Sequence, residues 1–139
     1  MRQTEISLEK DEILSFTFFV KREGVLASQR ACGSRHPLHT KSKIAKRIGF
    51  KGIIVPATMI LENAQSQLCD YIARKCGYIS TATGADDIRL GNCAYPGKPI
   101  TIKATVTDKK GPIIKVRFYC LQRGKSCLDG VSTFLLRKI

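Results

Sequence analysis

The clearest periodicity along the chain is two-fold. In residues 99–108, PITIKATVTD, the apolar Ile100, Ile102, Ala104 and Val106 alternate with Thr101, Lys103, Thr105 and Thr107. This is the pattern of an antiparallel strand with one face buried and the other in water. Residues 13–20, ILSFTFFV, are β-branched and aromatic and too short for a buried helix, so they predict a first strand. Near the C-terminus, residues 113–122 and 126–137 predict two more strands, set off by turns at 108–111 and 123–125. Residues 78–83 and 87–94 read as two separate short strands, followed by a turn at Tyr95, Pro96, Gly97 and Lys98.

The helical period appears in three places. Val25, Leu26, Gln29 and Cys32 are spaced for a short helix ending on Gly33, a residue suited to the left-handed conformation that stops a helix. Residues 41–48 predict a second short helix, carrying Lys41, Lys43, Lys46 and Arg47. From Ala57 to about Lys75, the residues Ile60, Leu61, Ala64, Leu68, Tyr71 and Ile72 form an apolar stripe on the one long helix. At a rise of 1.5 Å per residue it spans roughly 27 Å, enough to cross a small sheet. Between the first two helices, Pro37 disfavours helix at His36, so SRHPLH is expected to be a rigid non-helical turn projecting Ser34, His36 and His39. One long helix followed by an antiparallel meander is an α+β arrangement in which the sheet wraps the helix. At 139 residues the chain is expected to form a single domain over residues 1–139.

This order of elements, with GSRHPLH, GFKGIIVPATM and AYPGKPITIKATV at their places in it, resembles the hot-dog fold of the MaoC-type (R)-specific enoyl-thioester hydratases and 3-hydroxyacyl-thioester dehydratases. The resemblance runs from about residue 16 to about residue 136. That family's loop reads Asp, any residue, Asn, Pro, Ile or Leu, His; here Pro37, Leu38 and His39 fit, while Ser34 replaces the catalytic Asp and His36 replaces the Asn. A carboxylate can deprotonate water near neutral pH, whereas an unassisted serine hydroxyl cannot. The helix entrance VPATMILE is similar instead to that of the dehydratases of bacterial fatty-acid synthesis, whose Pro-Gly and apolar run lead to a catalytic Glu, matched in step by Glu62.

The resemblance implies a homodimer, or a higher homo-oligomer, with central helices side by side, so that Glu62 of one subunit approaches His39 of the other. Such a pair would supply the base and the acid that elimination from a 3-hydroxyacyl thioester needs, with Glu62 partly buried beside Ile60 and Leu61. Backbone N–H groups at Ala57 and Thr58 would face the thioester carbonyl as its oxygen gains charge. Two other classes remain open: a thioesterase in which Glu62 activates water, and a catalytically silent acyl-thioester binder, suggested by Ser34. A Ser34–His39 nucleophile pair lacks a third group to orient it.

Charge changes the picture most. With 24 basic and 11 acidic residues the net charge is +13, a surface that attracts polyanions. No nucleic-acid recognition motif or long basic run is present, so nucleic acid is not the expected partner. Acyl-CoA or an acyl carrier protein would use the same charges, with Lys41, Lys46, Arg47 and Lys51 as candidate phosphate ligands and His36 as a further substrate contact. The six cysteines contain no CxxC pair and read as buried or partly buried free thiols of a reducing compartment. Their spacing with the two histidines shows no zinc pattern, and no cofactor is expected. Without a long apolar run, the chain is expected to be soluble and cytoplasmic, with no membrane association.

Overall fold

The computed structural model describes residues 8–138. Five strands form one antiparallel sheet: β1 (Ile13–Phe19), β2 (Ile79–Leu90), β3 (Pro99–Lys110), β4 (Ile113–Gln122) and β5 (Lys125–Arg137). Their spatial order is β1-β3-β4-β5-β2, so the meander β3-β4-β5 forms the centre and β1 and β2 form the edges. Four helices lie between β1 and β2: α1 (Arg22–Ala31), α2 (Pro37–Thr40), α3 (Ser42–Arg47) and the 20-residue α4 (Ala57–Cys76).

The two periods meet in the core. Ile60, Ala64, Leu68 and Ile72 are the buried stripe of α4, and they pack against Ile100, Ile102, Ala104 and Val106 of β3 together with Ile114, Val116 and Phe118 of β4. Burying each such large side chain contributes about 1.5–3 kcal/mol. Two polar contacts pin α4 over the far side of the sheet: Gln65 Nε2 donates to the buried Ser132 Oγ of β5 at 3.2 Å, and the Cys69 thiol to the Ser80 carbonyl of β2 at 2.9 Å. Gly77 ends α4 in the left-handed conformation (φ 69°). Gly33 follows α1 in the same region (φ 72°).

Four expectations need correction. SRHPLH is not wholly non-helical: Pro37 sits at the first position of the single-turn α2, where its missing N–H costs nothing, and His39 lies in that turn. Residues 78–83 and 87–94 are not two strands. Residues 79–90 form one strand, interrupted in its pairing with β5 between Ala82 and Gly84 and between Asp86 and Arg89. Strand β3 runs on to Lys110, which moves the next turn to Gly111 and Pro112. Cys32 is exposed, whereas Cys120 and Cys127 are buried; all six cysteines are free. Among the described residues no helix is long and apolar enough to cross a membrane.

Candidate active site

The loop that carries the histidines is stitched to the entrance of α4. The Ile54 amide donates to Leu38 O at 2.9 Å, and the carbonyl of the same residue lies 2.8 Å from His39 Nδ1. A carbonyl can only accept, so His39 carries a proton on Nδ1, and in the neutral ring Nε2 is the lone-pair nitrogen. His39 is half-buried. One residue later, Val55 N donates to Ala94 O at 2.8 Å, fixing the segment between α2 and the β2–β3 connection.

His36 has a more local task. Its Nδ1 accepts from Leu38 N at 3.3 Å as the cap of α2, and its carbonyl accepts from Thr40 Oγ1 at 2.9 Å. The ring is exposed and lies 5.2 Å from that of His39. Ser34 is half-buried, and its Oγ accepts a long bond from His36 N at 3.4 Å. As an acceptor there, the hydroxyl keeps its own proton to donate.

Pro56 caps α4 without any side-chain acceptor. Met59 N and Ile60 N bond back to Pro56 O at 3.0 and 3.2 Å, so the N–H groups of Ala57 and Thr58 are the orphan donors of the first turn. Thr58 lines a pocket of about 320 Å³ with Glu62, Gln65, Ser66 and Ala82, between α4 and the edge strand β2. Glu62 is exposed in the single subunit. Two residues from Ile60 and two from Ala64, it projects away from the buried stripe. His39 is not among the residues lining this pocket.

Strand β2 is exposed along almost its whole length, with Ile79 51% and Leu90 69% accessible. Its outer edge has no partner strand among the described residues. Glu62 therefore looks out beside an unpaired, apolar-tipped strand edge, the kind of feature that natural proteins cover.

The predicted phosphate residues separate. Lys46 and Lys51 line one pocket of about 320 Å³, whereas Lys41 and Arg47 are exposed outside its lining. The same pocket takes in Arg22 from α1 and Tyr95 and Lys98 from the β2–β3 turn, none of them picked out from the sequence. The turn at 95–98 was the available signal, but nothing in the sequence ties it to Lys51. Among the described residues no cluster of three or more His, Cys, Asp or Glu is arranged to hold a metal.

No protein-family model matches the chain, and no curated protein matches it in sequence. Solved structures do. An (R)-hydratase from A. caviae involved in PHA biosynthesis superposes with a TM-score of 0.79 at 21% identity, covering 94% of this chain and 98% of that one. The chain has the hot-dog fold. A 3R-hydroxyacyl-ACP dehydratase complex from Mycobacterium tuberculosis matches with a TM-score of 0.74 at 17% identity over 96% of this chain and 100% of that one. A fluoroacetyl-CoA-specific thioesterase matches with a TM-score of 0.71 at 11% identity over 94% and 89%. At these identities the likeness establishes the hot-dog fold and leaves the chemistry to the residues.

Proposed function

We propose that the protein is an (R)-3-hydroxyacyl-thioester dehydratase, and in reverse an enoyl-thioester hydratase, acting on acyl-CoA or acyl-carrier-protein substrates as a homodimer. The observation that carries this reading is the bond from His39 Nδ1 to Ile54 O, which in the neutral ring leaves Nε2 as the nitrogen able to act as a base. The structural neighbours that are hydratases and dehydratases support it at the level of fold.

In the dehydration direction His39 Nε2 removes the α-proton. The electrons move onto the thioester oxygen, whose charge the Ala57 and Thr58 N–H groups receive. As the enolate collapses, the β-hydroxyl leaves with the proton that His39 took, relayed to it by the carboxylate of the partner subunit's Glu62. Enoyl thioester and water are released, with His39 and Glu62 back in their starting states. Ser34 cannot replace a carboxylate as base; its hydroxyl orients the departing or arriving water, and His36 holds the loop that presents both. Lys46 and Lys51, which line one pocket, meet the carrier phosphates, while Lys41 and Arg47 stay outside its lining.

Glu62 in its own subunit shares a pocket with Thr58, Gln65 and Ser66, polar groups able to hold a water. That favours one rival, a thioesterase in which Glu62 activates water for attack on the thioester carbonyl. Crotonyl-CoA with purified protein separates the two. Loss of enoyl-thioester absorbance without free thiol supports the hydratase, whereas thiol release at the rate of thioester loss supports the thioesterase. Binding of the thioester without either change would make the protein a silent binder.

A further inference from the structure

Arg22, Lys46, Lys51 and Lys98 come from α1, α3, the loop before Ile53 and the β2–β3 turn, and converge on one concavity of about 320 Å³. Among the described residues none of the four makes an ion pair. Gathering four unpaired cations around one hollow is unfavourable by itself, and a polyanion bound there would offset it.

The hollow is also built, since its far wall is fixed from below. Gln122, buried at the end of β4, accepts from Tyr95 N at 2.8 Å and donates to Tyr95 O at 3.0 Å and Lys98 O at 3.4 Å. Gly97 N bonds to Val20 O at 2.8 Å, tying the same turn to the end of β1. The Tyr95 hydroxyl oxygen accepts from Lys51 N at 3.2 Å and from the Cys93 thiol at 3.5 Å, which leaves its own proton to donate. Ser42 adds a hydroxyl to the lining.

We propose that this pocket binds the adenine-nucleotide phosphates of coenzyme A, so that the physiological substrates are CoA thioesters. The proposal rests on the thioester reading of the site and narrows it. A CoA molecule brings a 3'-phosphate of about −1.5 to −2 and a diphosphate, a multiple charge suited to four cations, whereas the phosphopantetheine of a carrier protein brings one phosphodiester. Ile53 lines the pocket, and the next residue, Ile54, holds His39, so the pocket and the histidine are carried on one segment of the chain.

The test is calorimetric binding of coenzyme A and of dephospho-CoA, which lacks the 3'-phosphate, and needs no turnover. Wild type should bind coenzyme A more tightly than dephospho-CoA, with affinity falling as salt rises. The double reversal Lys51→Glu with Lys98→Glu should raise the Kd by about tenfold or more, and Arg22→Glu with Lys46→Glu should do the same. The matched reversal Lys103→Glu with Lys115→Glu, on exposed positions of β3 and β4, should change it less than about twofold. Equal losses in all three double variants, or no binding by wild type, overturn the proposal. A carrier-protein thioester that is turned over and weakened by these reversals while coenzyme A binding is unaffected also overturns it, and leaves the dehydratase reading standing. Coenzyme A binding lost as expected in a protein that converts no thioester supports the pocket and removes the dehydratase.

Discussion

Replacing Gln122 with leucine tests whether the turn bearing Tyr95 and Lys98 is held from inside the protein. Leucine keeps most of the side-chain volume but deletes the bonds to Tyr95 N, Tyr95 O and Lys98 O at 2.8, 3.0 and 3.4 Å. The first two are good bonds, each worth about 1 kcal/mol net, and their loss also leaves Tyr95 backbone groups short of partners. Tyr95 is only half-buried, so water recovers part of that, and the expected loss is about 2–3 kcal/mol. For a chain of this size it corresponds to a fall in Tm of roughly 4–12 °C. Thermal unfolding followed by circular dichroism reads it directly. Gln122→Glu, which can accept from Tyr95 N but turns a buried carboxylate oxygen toward the Tyr95 and Lys98 carbonyls, should lose at least as much as Gln122→Leu at neutral pH. A change below about 2 °C for Gln122→Leu would show that the turn does not depend on this amide.

Other outcomes follow from the site and its surroundings. His39→Ala should lower kcat for crotonyl-CoA hydration by about 10²–10⁴-fold with an unchanged far-UV spectrum; activity within a few-fold of wild type would remove His39 as the base. Burial pushes the Cys120 thiol up to about 12 and raises that of Cys127, so at about pH 8 an aromatic disulfide reagent should modify exposed Cys32 in the native protein and reach those two only after unfolding. A single rate for all six thiols would contradict the burial. The Arg117 hydrogen bond holds the Asp87 carboxyl below its ordinary 3.8. A lowered native pKa gives stability that is present above 3.8 and lost as pH falls through the native value. Asp87→Asn should therefore flatten the fall in urea midpoint between about pH 5 and about pH 2; parallel profiles would refute it.

Much of the fold was legible because burial and period agree. In β3 the alternating Ile100, Ile102, Ala104 and Val106 are all buried, and in α4 the stripe through Ile60, Ala64, Leu68 and Ile72 is buried at every position. The residues of β2 read as two strands because it is an edge strand with interrupted pairing and mostly exposed positions, so burial imposes no alternation on it. The site was less legible. Pro37 read as a helix breaker, yet it starts α2, and the bond from His39 to Ile54 joins residues 15 apart. The exposure of Glu62 could have been inferred, since it falls between Ile60 and Ala64 on the opposite side of the helix. The basic pocket could not, because Arg22, Lys51 and Lys98 become neighbours only when α1 and two loops meet, and sequence proximity instead grouped Lys46 with Lys41 and Arg47.

The central claim, that His39 and the partner subunit's Glu62 form one site, is tested most directly by subunit complementation. His39→Ala and Glu62→Gln proteins, each nearly inactive, are unfolded together and refolded as an equal mixture. In a mixed dimer one site joins an intact His39 to an intact Glu62, while the other carries both lesions. Half of the dimers are mixed, and each has one of its two sites restored, so hydratase activity should return to about a quarter of wild type. Recovery no greater than the average of the two separate variants would place both groups' work within one subunit and contradict the account.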